Sequence, residues 1–326
     1  MDSAAERSWR QSPEHLRLLA KVARMYHERA LSQAEIAELL NLSQSRISRL
    51  LKEASSRGII RTVVVLPDGL HADLEDKLEE MYGLRDVVVV ETGGTDDVIP
   101  ALGAAAAEYL DATLRGGDRI GISSWSESLL RAVDVMRPKR LQVVDTVTQL
   151  VGGVGSPDVQ MQATRLISRL ADMTGARPQF LPSAGVLATP RIRDAIAEDS
   201  AVAEVVKSWQ DLTLALVGIG ALVPSSLLKR SGNALADADL RELQARGAVG
   251  DVCLRYFDHM GQHIASPFDE RVMGITPDDL KSIPRRLAVA GGIRKLSAIR
   301  AAVIGGWVNM LITDVDVARA LVAEAP

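Results

Sequence analysis

The sequence predicts an α/β protein in two parts. A helical head over residues 1–66 carries a helix-turn-helix, and an open, doubly wound, Rossmann-like sheet follows over 67–326. In the head, short amphipathic runs are separated by polar turn residues, and one of them opens with a capping box. Beyond residue 72, short apolar runs alternate with helical stretches, as parallel strands joined by crossover helices do. Charge divides at the same place. Residues 1–66 hold 11 Lys+Arg and 7 Asp+Glu, whereas 67–326 hold 27 and 35. A basic head on an acidic body suits a nucleic-acid reader joined to a separate sensing domain.

The first helix starts at Ser12-Pro13, a capping serine followed by proline where a missing N–H costs nothing. Leu16, Leu19, Ala20, Ala23 and Tyr26 then mark an apolar face. In the second helix, Ser32 and Glu35 form the capping box, Ile36, Ala37, Leu39 and Leu40 face inward, and Asn41 stops it. The third begins at Ser43, buries Ile47, Leu50, Leu51 and Ala54, and ends before Gly58. A β-branched run over 59–65 predicts a strand, either a wing or a link into the body. Gln33, Ala37, Asn41 and Ile47 fall at helix-turn-helix positions: Ala37 lets the two helices cross closely, and asparagine tolerates the left-handed turn. Opposite that apolar face stand Ser43, Gln44, Ser45, Arg46, Arg49 and Lys52, the residue types that read base edges and phosphates in a major groove. A plain three-helix unit with a solvated basic face would share some of these features. Their conjunction favours DNA.

In the body, the pattern predicts a helix over 72–81 with Leu74 and Leu78 inward. Strands are predicted over 86–90, 119–122, 141–146, 212–217, 286–290 and 308–312, and further helices over 101–114, 159–174, 201–209 and 295–303. Cys253, the single cysteine, excludes an intramolecular disulfide and Cys-rich metal sites. The polar first 15 residues lack a secretory core, and the longest uncharged stretch, 212–228, contains glycine, proline and serine, so it reads as a strand and its loop. The expectation is a cytoplasmic protein with no membrane segment.

Ligands of doubly wound sheets bind beyond the carboxyl ends of the strands. Glycine and polar residues gather there at 123–128, at Gly152-Gly153-Val154-Gly155, at Gly218-Ile219-Gly220 and at Gly291-Gly292, followed by Lys295 in a helical first turn. Such glycines let backbone N–H groups approach an anion, and Lys295 would add a positive charge beside it. Tight turns and a solvated lysine are the plainer reading. Gly218-Ile219-Gly220 lacks the third glycine of a dinucleotide fingerprint, which disfavours a redox sensor. His259 and His263 have metal-pair spacing, but Gly261 between them points to a turn. Neither a nucleophile elbow nor a Walker loop is present.

Several blocks, in order, give the chain a family likeness. They are Leu31-Ser32-Gln33-Ala34-Glu35-Ile36-Ala37, Ser45-Arg46-Ile47-Ser48-Arg49-Leu50-Leu51, Gln149-Leu150-Val151-Gly152-Gly153, Gly247-Ala248-Val249-Gly250-Asp251, a long block from Ile283 to Gly292, Lys295, and Gly306-Trp307-Val308-Asn309. Over nearly its whole length the chain resembles bacterial transcriptional regulators of the SorC/DeoR sugar-binding family. The resemblance implies a winged helix-turn-helix head and an effector domain related to sugar-phosphate isomerases and deaminases. It also implies operator DNA and a carbohydrate effector as partners, a homo-oligomer (dimer or tetramer), and no cofactor beyond the effector. Carried over residue by residue, the effector-pocket candidates are Ser126, Ser128, Gly152, Gly153, Asp251 and Lys295. One departure stands out: where the family often shows Trp-Gly-x-Thr, this chain reads Trp125-Ser126-Glu127-Ser128. Glu127 in the pocket would repel a phosphate and accept hydrogen bonds from hydroxyls. With Lys295 on the other side, the expectation leans slightly to a phosphorylated ligand over a free sugar or polyol. The alternative function is a sugar-phosphate isomerase or deaminase-like enzyme.

Overall fold

The chain divides into two units, the first 1–66, in a computed structural model that describes residues 13–60, 70–94, 97–139, 141–223 and 235–324; the described residues of the first unit form three helices. These are α1 (Pro13–His27), α2 (Gln33–Leu40) and α3 (Gln44–Ser56). The capping box forms: Ser32 Oγ accepts from the Glu35 N–H at 3.3 Å, and the Glu35 carboxylate accepts from the Ser32 N–H at 2.8 Å. Asn41 ends α2 in the left-handed conformation, φ 53° and ψ 46°. Leu19, Val22, Ile36, Ile47 and Ala54 are fully enclosed.

The face of α1 corrects the expected one. His15, Leu19, Val22, Ala23 and Met25 are buried, while Leu16 and Tyr26 are 41% and 38% exposed. The reason is a pairing from another helix. Glu53 of α3 takes His15 Nε2 at 2.9 Å and Arg57 at 2.6 Å, which turns His15 inward and rotates the buried stripe with it. Leu39 likewise turns outward, at 64% exposure. Ile59 and Ile60 lie in a bend rather than a strand. The remainder of the predicted strand, with any wing, falls outside the described residues, as does Ser12.

The second unit, 67–326, starts with α4 (Ala72–Tyr82) and β1 (Asp86–Val90), then α5 (Ile99–Thr113), β2 (Asp118–Ile122), α6 (Glu127–Val135), β3 (Val144–Gln149), α7 (Pro157–Thr174) and β4 (Arg177–Gln179). It continues through α8 (Pro190–Ala197), α9 (Ser200–Ser208), β5 (Leu214–Val217), β6 (Gly220–Ala221), α10 (Asp237–Ala245), β7 (Ala248–Val252) and β8 (Arg255–Asp258). The last elements are α11 (Pro277–Ser282), β9 (Arg285–Val289), α12 (Leu296–Ile304), β10 (Met310–Asp314) and α13 (Val315–Ala323). A wholly parallel seven-stranded sheet has the order β1-β10-β9-β5-β2-β3-β4. Alternate strand residues feed two cores: Val87, Ala215, Val217, Ala288 and Leu311 on one face, and Ile120, Leu214, Leu287, Val289 and Ile312 on the other.

Two differences from expectation matter. The third strand spans Val144–Gln149 rather than 141–146, because pairing with β2 begins at Asp118 with Val144 and leaves Leu141 78% exposed. A three-stranded antiparallel sheet, β6-β7-β8, stands beside the main one and was not foreseen. Its hairpin turns through Cys253 and Leu254, both at positive φ without glycine, so the usual turn residues give no sign of it.

The chain order fixes the crevice. From β2 it steps outward to β3 and β4, then returns to β5 and runs the other way through β9 and β10. The direction in which the chain adds strands therefore reverses between β2 and β5, where the loops diverge and leave room for a ligand.

Candidate functional site

In the head, α3 is built for display. Ile47, Leu50, Leu51 and Ala54 fix its inner side, and Ser43, Gln44, Ser45, Arg46, Arg49 and Lys52 are all exposed opposite them. Ser43 caps the helix, its Oγ accepting from the Arg46 N–H at 3.3 Å. Arg49 Nε donates to the Ser45 carbonyl at 3.4 Å, lying along the helix surface. The resulting stripe of hydroxyl, amide and guanidinium groups suits a major groove.

In the body, the loops after β2 and β5 meet at the switch point. Ser123 Oγ accepts from the Gly218 N–H at 3.3 Å, and a Cβ on Gly218 would stand 3.0 Å from Ser126 Oγ. Ser126 caps α6 by accepting from the Leu129 N–H at 3.2 Å. Across the crevice, Lys295 Nζ donates to the Ile219 carbonyl at 2.9 Å. Gly220 pairs with Asp251 in the small sheet, and a Cβ on Gly220 would fall 2.0 Å from Asp251 Oδ1. Only glycine lets that carboxylate lie against the strand. The other oxygen of Asp251 accepts from the Leu254 N–H at 2.9 Å.

Burial pushes the Asp251 carboxyl up to about 6, against the pull of the Leu254 N–H and of Lys295. It also draws the Lys295 ammonium below its ordinary value, opposed by the carboxylates of Asp251 and Glu127. The Cys253 thiol is pushed upward by burial and by Asp251, which disfavours the thiolate there.

Of the six pocket candidates, the structure brings Ser126, Asp251 and Lys295 together. Ser128 is buried in the first turn of α6. Gly152 and Gly153 lie beyond β3, where their lack of a side chain has a packing cause. A Cβ on Gly152 would meet the carbonyl oxygens of Ser183 and Ala184 at 2.5 Å, and one on Gly153 would meet Gln149 Nε2 at 2.2 Å. Gly153 also borders a cavity of about 250 Å³ with Gln149, Thr164 and Phe180. Ser124 ties the two regions, donating to the Val151 carbonyl at 2.7 Å and accepting from Gln149 Nε2 at 2.8 Å.

Sequence reasoning missed Asp314. Its Oδ2 accepts from the Gly292 N–H at 2.6 Å, and its Oδ1 accepts from the Val317 N–H at 3.1 Å at the start of α13. An aspartate ending an apolar strand just before a helical run was the available signal. His259 is exposed, whereas His263 pairs with Asp269 at 3.0 Å; Gly261 turns between them at φ 71°. Among the described residues, no group of three or more His, Cys, Asp and Glu could hold a metal ion. Among them, too, no helix is long and apolar enough to cross a membrane.

Comparison with known proteins adds the family. Residues 69–323 match the model described as "Putative sugar-binding domain", and residues 20–57 match Sigma-70, region 4. The deoxyribonucleoside regulator of Bacillus subtilis is 33% identical over 314 residues, covering 95% of this chain and 99% of that protein. The chain belongs to the SorC/DeoR family of sugar-binding transcriptional regulators. Among solved SorC/DeoR structures, the full-length sorbitol operon regulator SorC of Klebsiella pneumoniae aligns over 95% of this chain and 99% of its own, with a TM-score of 0.72 at 26% identity. The sugar-binding domain of DeoR from Pseudomonas syringae pv. tomato aligns over 78% of this chain and 100% of its own, with a TM-score of 0.62 at 40% identity.

Proposed function

We propose that the chain is a sequence-specific regulator of a carbohydrate-catabolic operon, working in the cytoplasm. Its α3 reads operator DNA, and a sugar, sugar phosphate or polyol at the β2/β5 switch point changes that reading. No cofactor besides the effector is needed. The observation that carries the proposal is that a half-buried cation, Lys295 on the Ile219 carbonyl, and a buried carboxylate, Asp251 against Gly220, converge where a doubly wound sheet opens. A ligand favouring one arrangement of the body changes operator affinity through the free-energy difference between arrangements. Paired heads of a dimer or tetramer would read half-sites about 34 Å apart, or a multiple of that.

An acid–base enzyme would also use a carboxyl titrating near 6. Against turnover, Asp251 is held by the Leu254 N–H and Lys295 by the Ile219 carbonyl, a pairing suited to fixed recognition.

The test is selection of genomic fragments by the purified protein at a stated salt concentration, with and without a sugar panel. Enrichment of a palindrome beside transport or catabolic genes is expected. No enrichment under either condition, together with product formation from a sugar phosphate, would replace the regulator with the enzyme.

A further inference from the structure

The backbone features at the switch point that would draw a phosphate are already faced by carboxylates of the chain. The N-terminus of α6 is the first. Its partial positive charge points into the crevice beside Gly218, but the Ser126 oxygen already accepts from the Leu129 N–H, and Glu127 occupies the first turn. The second is the turn after β9, where Gly292 adopts φ 87°. Its N–H donates to Asp314 Oδ2 at 2.6 Å, and a Cβ on Gly291 would meet the same oxygen at 2.4 Å. Lys295 lies between these two features, with Nζ on the Ile219 carbonyl and with the carboxylates of Asp251 and Glu127 both acting on it. Arg294 is the other cation acting on this group, and it is exposed. Three carboxylates thus lie at these features: Asp251 and Glu127 act on Lys295, and Asp314 closes the Gly292 N–H.

A phosphate monoester brings about −1.5 to −2 charge near neutral pH and only acceptor oxygens on its phosphoryl group. Against this surface it meets like charge. A hydroxyl-rich neutral ligand brings donors, which carboxylates accept, and acceptors for the remaining N–H groups of Lys295.

We infer that the switch-point site takes an unphosphorylated sugar or polyol, and that Glu127 sets this choice. This rests on the switch point being the effector site.

The experiment is calorimetry on the full-length protein with matched pairs of free sugars or polyols and their phosphate monoesters, and with inorganic phosphate alone. Wild type and Glu127→Gln are compared, with a melting curve for each. In wild type, the free member of a binding pair should be about tenfold or more tighter than its phosphate. Glu127→Gln should narrow that gap by about tenfold and strengthen binding of inorganic phosphate. Tighter binding of the phosphorylated member by wild type would overturn the inference while leaving the effector reading in place. An unchanged gap in a folded Glu127→Gln protein would remove Glu127 from the role. Heat from neither member of any pair would overturn the effector reading, and this inference with it.

Discussion

In the head, the side chains offered to a partner lie together on the outside of one helix, exposed and without enclosing walls. In the body, the corresponding groups come from the ends of β2, β5, β7, β9 and β10, and each is bonded to backbone of a neighbouring loop or strand. The contrast follows from what each must recognise. A DNA groove supplies its own concave surface and solvates the ions it displaces, so the protein needs only a rigid convex stripe. A small carbohydrate must be surrounded, and charges removed from water to do so need partners within the chain. The head can therefore lose an outer residue without losing its fold, whereas the body's site and its folding are joined.

Ile47→Ala breaks the contrast from the head's side and carries the largest effect. Ile47 is fully enclosed beneath the recognition face, so its truncation should cost about 2–5 kcal/mol and abolish operator binding. Calorimetric binding of a carbohydrate by the body should persist, and its loss would show that the two units fold as one.

Asp251→Asn probes the body. The folded carboxyl titrates near 6 against an ordinary 3.8, so its contribution to stability is fully present below about pH 4 and is lost as pH rises through 6. The difference across that window is about 3 kcal/mol. Denaturation measured from pH 4 to 7.5 should show wild type losing stability relative to Asp251→Asn as pH rises. Parallel curves would mean Asp251 does not titrate as its burial requires.

Arg46→Ala and Arg49→Ala sharpen the head's side. Each should weaken operator binding by about 1–3 kcal/mol with unchanged circular dichroism and melting. Unchanged affinity in both would mean that another face meets DNA. Ser32→Ala is the smallest effect, about 1 kcal/mol of stability lost with the cap of α2 and read as a lower melting temperature.

The same contrast explains what the sequence made legible. The helix-turn-helix is local: a cap at Ser32, a left-handed Asn41 and an apolar stripe on α3 all lie within about thirty residues and obey short-range rules. Where the head depends on a distant partner, the reading fails. His15 is buried because Glu53 meets it, and no spacing within α1 encodes that. In the body, the alternation of apolar runs gave the parallel strands, although the register of β3 is set by its pairing with β2 rather than by its own residues. Lys295 is marked by its place after the Gly291-Gly292 strand end, whereas Asp251 is identifiable only through family resemblance, since the small sheet that carries it to Gly220 has short strands with glycine and charge in them. At Gly152 and Gly153 a second cause acts beside the one the sequence suggests. Gly152 answers a neighbouring backbone and Gly153 the Gln149 side chain, packing demands set by distant residues.

The most direct measurement is operator affinity of the purified protein, by fluorescence anisotropy at fixed salt, with and without a saturating carbohydrate effector. Because coupling is reciprocal, the factor by which the effector changes operator affinity must equal the factor by which operator changes effector affinity. The account predicts equal factors of about fivefold or more in wild type, collapsing towards one in Lys295→Ala. An effector that binds free and operator-bound protein equally well would contradict it.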